Sequence, residues 1–335
     1  MTQHPAERKV NFFIVGEPKS GTTALAQFLS EHPQVGFSHP KEPDYFATDI
    51  RAECDAFHSG KHPYFPIRTP EQYLHGFAHC GNKPIWGEGS TLYLNSKEAA
   101  ANIRAYNPDA RIIIMLRNPV DFMHSLHMQM VNISTEDEPD FETALAKEPA
   151  RRAGRELHGG TRCPSDLFYA ERAHYTPQIE RFLEIFPREQ VLLLIAEEFQ
   201  RDNAGVYKQV LEFIGADADF RPAEFRRVYE SRAPRSRRLH RQLNNIKLKT
   251  TMLRLVGPDG YEKLKAAGSK LMLREQARKA LDPDLRQQLL HTYQPEVRRL
   301  AQLIRRPDLP ELWGYDTGYR EDSVARTAVG SYTRG

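Results

Sequence analysis

The segment Asn11 to Leu29, NFFIVGEPKSGTTALAQFL, passes from a short unbroken apolar run through a glycine-bearing turn into Ala, Leu and Phe at helical spacing. Such a short unbroken run reads as a strand covered on both faces, because a strand with one wet face alternates. Covering both faces takes helices on both sides, and the rest of the chain supplies them. TPEQYLHGF opens with Thr69 as a helix cap and Pro70 at the first helical position. KPIWGEG is a strand ending at Glu88, and Ser96 caps a helix that runs through Tyr106. ARIIIMLR, Ala110 to Arg117, is the most strand-like stretch and leads past Pro119 into a helical run to Val131. A long helical stretch, Leu167 to Phe186, precedes the strand QVLLLIA and a helix over Ala204 to Ile214. Strands alternating with helices need crossover connections, so the expected class is α/β with a central parallel sheet flanked by helices.

Beyond Phe220 the chain turns helical and basic: Arg226 to Arg254 is rich in Lys and Arg, with Glu230 its single acid. Asp282 to Ile304 is amphipathic, either a helix pair or one helix interrupted at Pro295, and forms a helical C-terminal extension. Ser134 to Asp140 and Arg152 to Asp166 read as exposed loops. The expected organisation is an N-terminal tail over 1–10, one domain over 11–315 and a frayed tail over 316–335.

With 335 residues, 40% apolar and 27% charged, the chain can bury a large core. No apolar run is long enough to span a bilayer, and MTQHPAERKVN lacks the order of a secretory signal, so a cytoplasmic location is expected. Cys54, Cys80 and Cys163 are far apart and have no zinc-type spacing, which argues against a disulfide framework or a metal site.

The turn carries the chemistry. Ser20 to Thr23 offer consecutive backbone N–H groups at a helix N-terminus, which favours an anion, and Gly21 lets the backbone come close. A triphosphate loop G-x-x-x-x-G-K-[ST] needs Lys directly after its second glycine, but Gly21 is followed by Thr22 and the lysine, Lys19, precedes it. In triphosphate enzymes a later core strand commonly ends in a magnesium-holding aspartate, whereas ARIIIMLR ends in Arg117. Arginine at the carboxyl edge of a parallel sheet suits a bidentate grip on a second phosphate, and Ser125, about two turns into the next helix, can turn to the same anion.

PKSGTT and RNPVDFMHS together resemble the signature of sulfotransferases that use 3′-phosphoadenosine-5′-phosphosulfate (PAPS), a three-layer P-loop-like fold. KEPDYF and GEGSTLYL resemble the carbohydrate-sulfating (heparan sulfate-type) and bacterial branch. The likeness continues through FPREQVLLLIAEEF, YESRAPRSRRL and the C-terminal helix to LWGY, so it covers nearly the whole chain. It implies that Lys19 lies against the oxygen bridging phosphate and sulfur, that Ser20, Gly21, Thr22 and Thr23 hold the 5′-phosphate, and that Arg117 and Ser125 hold the 3′-phosphate. It places the base at Glu88 and puts Lys41 and Glu42 at the acceptor cleft; His124 and His127 flank Ser125 on the expected helix, which brings His127 near the reacting centre as the next candidate base. Arg235, Ser236 and Arg237 correspond to a late loop over the nucleotide, with Ser236 where the branch often has glycine. PAPS is then the donor and 3′-phosphoadenosine-5′-phosphate (PAP) the product, with no metal required. The acceptor is a hydroxyl or amine on a sugar, lipid or secondary metabolite, with nucleic acid not expected as a partner and the oligomeric state left open.

Two other classes fit parts of the chain. A small-molecule kinase with a degenerate loop predicts magnesium dependence, against which Arg117 and the residue after Gly21 both speak. A non-catalytic nucleic-acid binder could use Arg226 to Arg254, but aromatic residues are not interleaved along it as a series of stacking platforms in the manner of single-strand binders, Tyr229 being its one Phe, Tyr or Trp.

Overall fold

A computed structural model describes residues 8–60, 64–222, 224, 225, 232–234, 273–275 and 280–315. In chain order the elements are β1 (Phe12–Gly16), α1 (Thr22–Glu31), β2 (Val35–Phe37), α2 (Thr48–Phe57), α3 (Pro70–His75), β3 (Ile85–Gly89), α4 (Ala99–Tyr106), β4 (Arg111–Leu116) and α5 (Pro119–Asn132). They continue with α6 (Phe141–Ala146), α7 (Glu148–Arg152), α8 (Tyr169–Arg172), α9 (Tyr175–Ile185), β5 (Val191–Ile195), α10 (Ala196–Arg201) and α11 (Asn203–Ile214). After these come β6 (Arg232–Pro234), β7 (Leu273–Glu275), α12 (Pro283–Ile304) and α13 (Leu309–Leu312).

Strands β1 to β5 form one parallel sheet in the order β2-β3-β1-β4-β5, the arrangement expected from the alternating pattern. Phe12 and Ile14 of β1 turn to one face, where they pack with Leu25, Phe28 and Leu29 of α1 and with Tyr207, Val210 and Leu211 of α11. Phe13 turns to the other face, where its ring meets Phe46 at 5.8 Å. Every residue of β1 is buried, which is why its sequence does not alternate. Gly87 of β3 leaves room for the Phe12 ring: a Cβ there would lie 2.0 Å from Phe12 Cζ. Because Phe12 is fully buried and cannot swing away, Gly87→Ala should destabilise the fold by about 1–3 kcal/mol, read as a lower denaturation midpoint.

Local chemistry sets the helix ends. Thr69 and Gln72 form a reciprocal capping box at α3, with Pro70 inside the first turn. Ser96 Oγ accepts from the amides of Glu98 and Ala99 ahead of α4. The helical stretch expected over Leu167 to Phe186 is instead two helices, α8 and α9. Pro177 has no N–H to offer the Ala173 carbonyl, and Gln178 Nε2 donates to the carbonyls of Arg172 (2.9 Å) and His174 (2.8 Å), which fixes the break.

Two further expectations change. Ser134 to Asp140 is not an exposed loop throughout: Glu136 is buried and takes a bidentate grip from Arg151 of α7, at 2.7 and 2.8 Å, plus the Tyr169 hydroxyl at 2.9 Å. Arg152 to Asp166 likewise holds buried Thr161 and Cys163, and Arg162 grips Asp166 through two bonds of 2.6 and 2.7 Å. Removing one partner of a buried pair strands the other charge, so Arg151→Ala should cost about 3–5 kcal/mol. Arg151→Met with Glu136→Leu should recover much of that loss in equilibrium unfolding.

The chain divides into two compact units at Leu281/Asp282. In the second, Asp282 caps α12, which continues through Pro295 as a single helix, and Gln294 Nε2 donates to the Tyr315 carbonyl at 3.0 Å. Beyond Phe220, where helix was expected, the described residues of the first unit include the antiparallel pair β6–β7. Among the described residues no helix is long and apolar enough to cross a membrane.

Candidate active site

Parallel pairing brings the carboxyl ends of β1, β3 and β4 to one edge of the sheet: Phe13 lies beside Glu88, Ile14 beside Gly89 and Gly16 beside Ile114. Edges of this kind bind ligands in open α/β sheets. Three segments separated by many residues in sequence converge there: the loop after β1, the turn after β4 and the Lys41–Tyr45 loop.

The loop after β1 is bent for close approach. Lys19 takes a left-handed conformation at φ 68°, unusual for a side chain, and Gly21 follows at φ 98°. A Cβ on Gly21 would lie 3.1 Å from the Phe199 ring, so glycine is required there by both space and conformation. Among the described residues no side chain caps α1, and its first turn holds no acid, which leaves its N-terminus suited to an external anion. Ser20 Oγ is buried with no partner among the described residues, an orphan that a phosphate oxygen would satisfy.

The turn after β4 is set by Asn118, whose side chain accepts from the Val120 and Asp121 amides and starts α5. Arg117, half-buried, donates from Nη1 to the Lys19 carbonyl at 3.3 Å, so it lies against the loop. Ser125 is buried in the second turn of α5. Lys19, Ser20 to Thr23, Arg117 and Ser125 therefore belong to adjoining segments of one sheet edge. Arg235, Ser236 and Arg237 lie outside the described residues.

The Lys41–Tyr45 loop covers the end of β3. The Gly89 amide donates to the Lys41 carbonyl at 3.4 Å, and Lys41 Nζ pairs with Glu42 Oε1 at 2.7 Å. The Glu42 side chain is 40% exposed. Glu88 is fully enclosed, and neither of its oxygens makes a well-aligned hydrogen bond among the described residues. Burial raises its pKa well above the usual carboxylate range; the nearby Tyr93 hydroxyl and Lys41 oppose this and Asp44 adds to it. Phe46 packs against Tyr73, Tyr93 and Tyr106 on this side of the sheet.

His127 is buried beneath α6. Its Nε2–H donates to the Glu138 carbonyl at 2.8 Å, its ring packs on Phe141 and Tyr169, and burial lowers its pKa. His124, half-buried, has its ring 5.3 Å from Phe141.

Two carboxylates were not singled out from the sequence, although both lie inside motifs that were. Glu17, in GEPKSGTT, is fully buried with Oε2 3.5 Å from Arg172 Nη2; burial pushes it up to about 7 against the pull of Arg172. Asp44, in KEPDYF, is buried at φ 51°, its amide donating to Ser90 Oγ at 3.0 Å. Burial and then the Glu42 charge push it up to about 8, against Arg162 and Lys41.

A carboxyl whose folded pKa exceeds its unfolded one holds extra protons when folded, so its contribution is fully present in acid and fades as pH rises. For Glu17 and Asp44 the window runs from their ordinary 4.5 and 3.8 to about 7 and about 8. Thermal unfolding temperature should fall across that window and Asp44→Asn should flatten the curve; an equally steep curve for the variant would rule out this contribution.

Comparison with known proteins agrees with this geometry. A crystal structure of a sulfotransferase from Alicyclobacillus acidocaldarius superposes with a TM-score of 0.67 at 28% identity, covering 92% of this chain and 99% of that one. The human bifunctional heparan sulfate N-deacetylase/N-sulfotransferase 3 is 28% identical over 217 residues, 62% of this chain and 22% of that protein. Human heparan sulfate glucosamine 3-O-sulfotransferase 6 is 27% identical over 209 residues, 60% of this chain and 51% of that protein. The chain thus matches about half or less of the length of these curated relatives. A family model described as a sulfotransferase domain matches residues 9–301, which takes in the whole sheet and all three segments of the edge, and the chain belongs to the sulfotransferase family.

Proposed function

We propose that the chain transfers a sulfuryl group from PAPS to a hydroxyl or amine of a small-molecule or glycan acceptor. The observation that carries the reading is the donor loop: an uncapped helix N-terminus, an orphaned buried Ser20 hydroxyl, Lys19 bent back at positive φ and Arg117 braced against it. Ser20 to Thr23 hold the 5′-phosphate, and Arg117 with Ser125 holds the 3′-phosphate. In the transfer the bond from sulfur to the bridging oxygen breaks and its electron pair leaves with the phosphate. A new bond forms from the acceptor oxygen or nitrogen to sulfur, and the acceptor proton passes to a carboxylate. By analogy with phosphoryl transfer the transition state is loose and in line, so positioning and charge stabilisation dominate, and Lys19 offsets the charge growing on the bridging oxygen.

For the base, the family resemblance points to Glu88, but side-chain exposure favours Glu42. Glu42 reaches solvent at the acceptor edge, whereas Glu88 is enclosed and burial favours its protonated, non-basic form. Glu88 remains a second reading because a raised pKa makes a strong base once it is ionised. Sugar and amino-sugar acceptors are the first to test, since the similar curated proteins are named for heparan sulfate.

The test is radiolabelled PAPS with a panel of sugars, amino sugars, phenols and lipids, with and without chelator. Transfer that survives chelation supports the reading. Magnesium-dependent activity, or thermal stabilisation by ATP and not by PAP, would overturn it in favour of a kinase.

A further inference from the structure

We propose that Glu17 and Arg172 form a buried positioning pair that ties the donor loop to helix α5 and makes donor affinity depend on the charge of Glu17. The inference rests on the donor-loop reading above.

Glu17 is held on both sides by its backbone. Its amide donates to the Met115 carbonyl of β4 at 2.7 Å, and its carbonyl accepts from the Ser20 amide at 3.4 Å. The side chain turns inward, away from water, to meet a guanidinium that is itself only 2% exposed. That guanidinium lies 6.0 Å from the ring of Phe122, in the first turn of α5 and three residues before Ser125. Residues three apart share a helix face. One cation therefore bridges the loop assigned to the 5′-phosphate and the helix assigned to the 3′-phosphate.

The pair is poorly suited to a purely stabilising role. Its single contact is 3.5 Å long, and both Glu17 Oε1 and Arg172 Nε are buried without partners among the described residues. Such a pair regains little of its desolvation cost, and apolar side chains of similar volume would serve a core at least as well. What apolar residues would not supply is charge beneath an anion site.

Arginine keeps its charge in proteins. The carboxyl facing it changes charge near neutrality, because burial brings it to about 7. Arg172 of α8 is the charged group set against Glu17; Lys19 shares its loop, Arg117 reaches that loop from the end of β4, and α5 presents the Phe122 ring. With Glu17 protonated, the charge of Arg172 is uncompensated and attracts the nucleotide phosphates. With Glu17 ionised, the pair is neutral and that attraction is lost. By linkage, bound nucleotide holds the proton on Glu17, and donor affinity falls as pH rises through neutrality.

The test is calorimetric titration of PAP into wild type, Glu17→Gln and Arg172→Lys at roughly pH 6 and pH 8, with melting curves of the free proteins to confirm folding. Glu17→Gln keeps the shape and fixes the neutral form, and PAP's own ionisation cancels in the comparison. Relative to this variant, wild type should lose roughly fivefold or more in affinity between the two pH values. Arg172→Lys, which keeps the charge, should retain the pH dependence; Arg172→Met should weaken PAP binding and raise the donor KM more than it lowers kcat. If wild type and Glu17→Gln bind PAP with the same affinity at both pH values, the pair is structural only and the inference fails while the donor reading stands. If wild type binds no PAP at either pH, the donor reading itself fails, and this inference with it.

Discussion

Lys19→Ala should lower kcat by at least about 10²–10³, with PAP binding reduced far less. In the proposed donor site most contacts to the 5′-phosphate come from main-chain N–H groups and hydroxyls of Ser20 to Thr23, and these survive the substitution. What is removed is the charge placed to meet the bridging oxygen as its bond to sulfur breaks, an interaction stronger in the transition state than in the ground state. Lys19→Arg separates charge from geometry. It keeps the cation but replaces a compact ammonium with a planar fork, so PAP binding should largely persist while transfer falls. Single-turnover measurement with radiolabelled donor reads the chemical step directly. If Lys19→Ala raised only the donor KM and left kcat unchanged, Lys19 would be a binding group alone.

Glu42→Gln should lower kcat by about 10²–10⁴ and leave PAP binding intact, whereas Glu88→Gln should cost less than about tenfold. The expected difference follows from exposure. A general base must come within hydrogen-bond reach of the acceptor and be ionised when it does. Glu42 extends into solvent beside Lys41 at the edge proposed for the acceptor, while Glu88 is enclosed near Tyr93 with its protonated form favoured. Measuring both variants with one acceptor decides between them. Loss in Glu88→Gln with retention in Glu42→Gln would assign the base to Glu88 and mean that acceptor binding opens the tyrosine shell. Loss in neither would turn attention to the histidines, although His127 Nε2 is already committed to the Glu138 carbonyl.

The central strands were legible because they are buried on both faces, and the edge strand β5 because it is apolar throughout. ARIIIMLR and QVLLLIA need no alternation to be recognised, and their spacing by helices left a parallel sheet as the consistent outcome. Helix starts marked by Thr69 and Pro70 and by Ser96 were legible for a local reason, since a cap and the amides it satisfies lie within a few residues of each other. The α8–α9 break was less so: Pro177 is visible, but the role of Gln178 depends on which carbonyls its side chain meets. Polar residues in loops were the least legible. Glu136 sits in an acidic stretch that composition makes look solvated; besides the nearby Glu138 amide, it is Arg151 and Tyr169, brought in from α7 and α8, that make its burial tolerable.

The site divides along the same line. The sequence by itself determined the anion-suited loop after β1, because a glycine, consecutive amides at a helix start and the displaced lysine all lie within a few residues, and it marked Arg117 by placing it where a strand ends. The tertiary structure alone decided that Arg117 braces the Lys19 carbonyl, that Glu88 is shut away while Glu42 stays open, and that Arg172 lies under Glu17. The physical reason is range: capping and backbone conformation act between neighbours in the chain, whereas burial and charge pairing depend on residues that meet only when the sheet and its helices have packed.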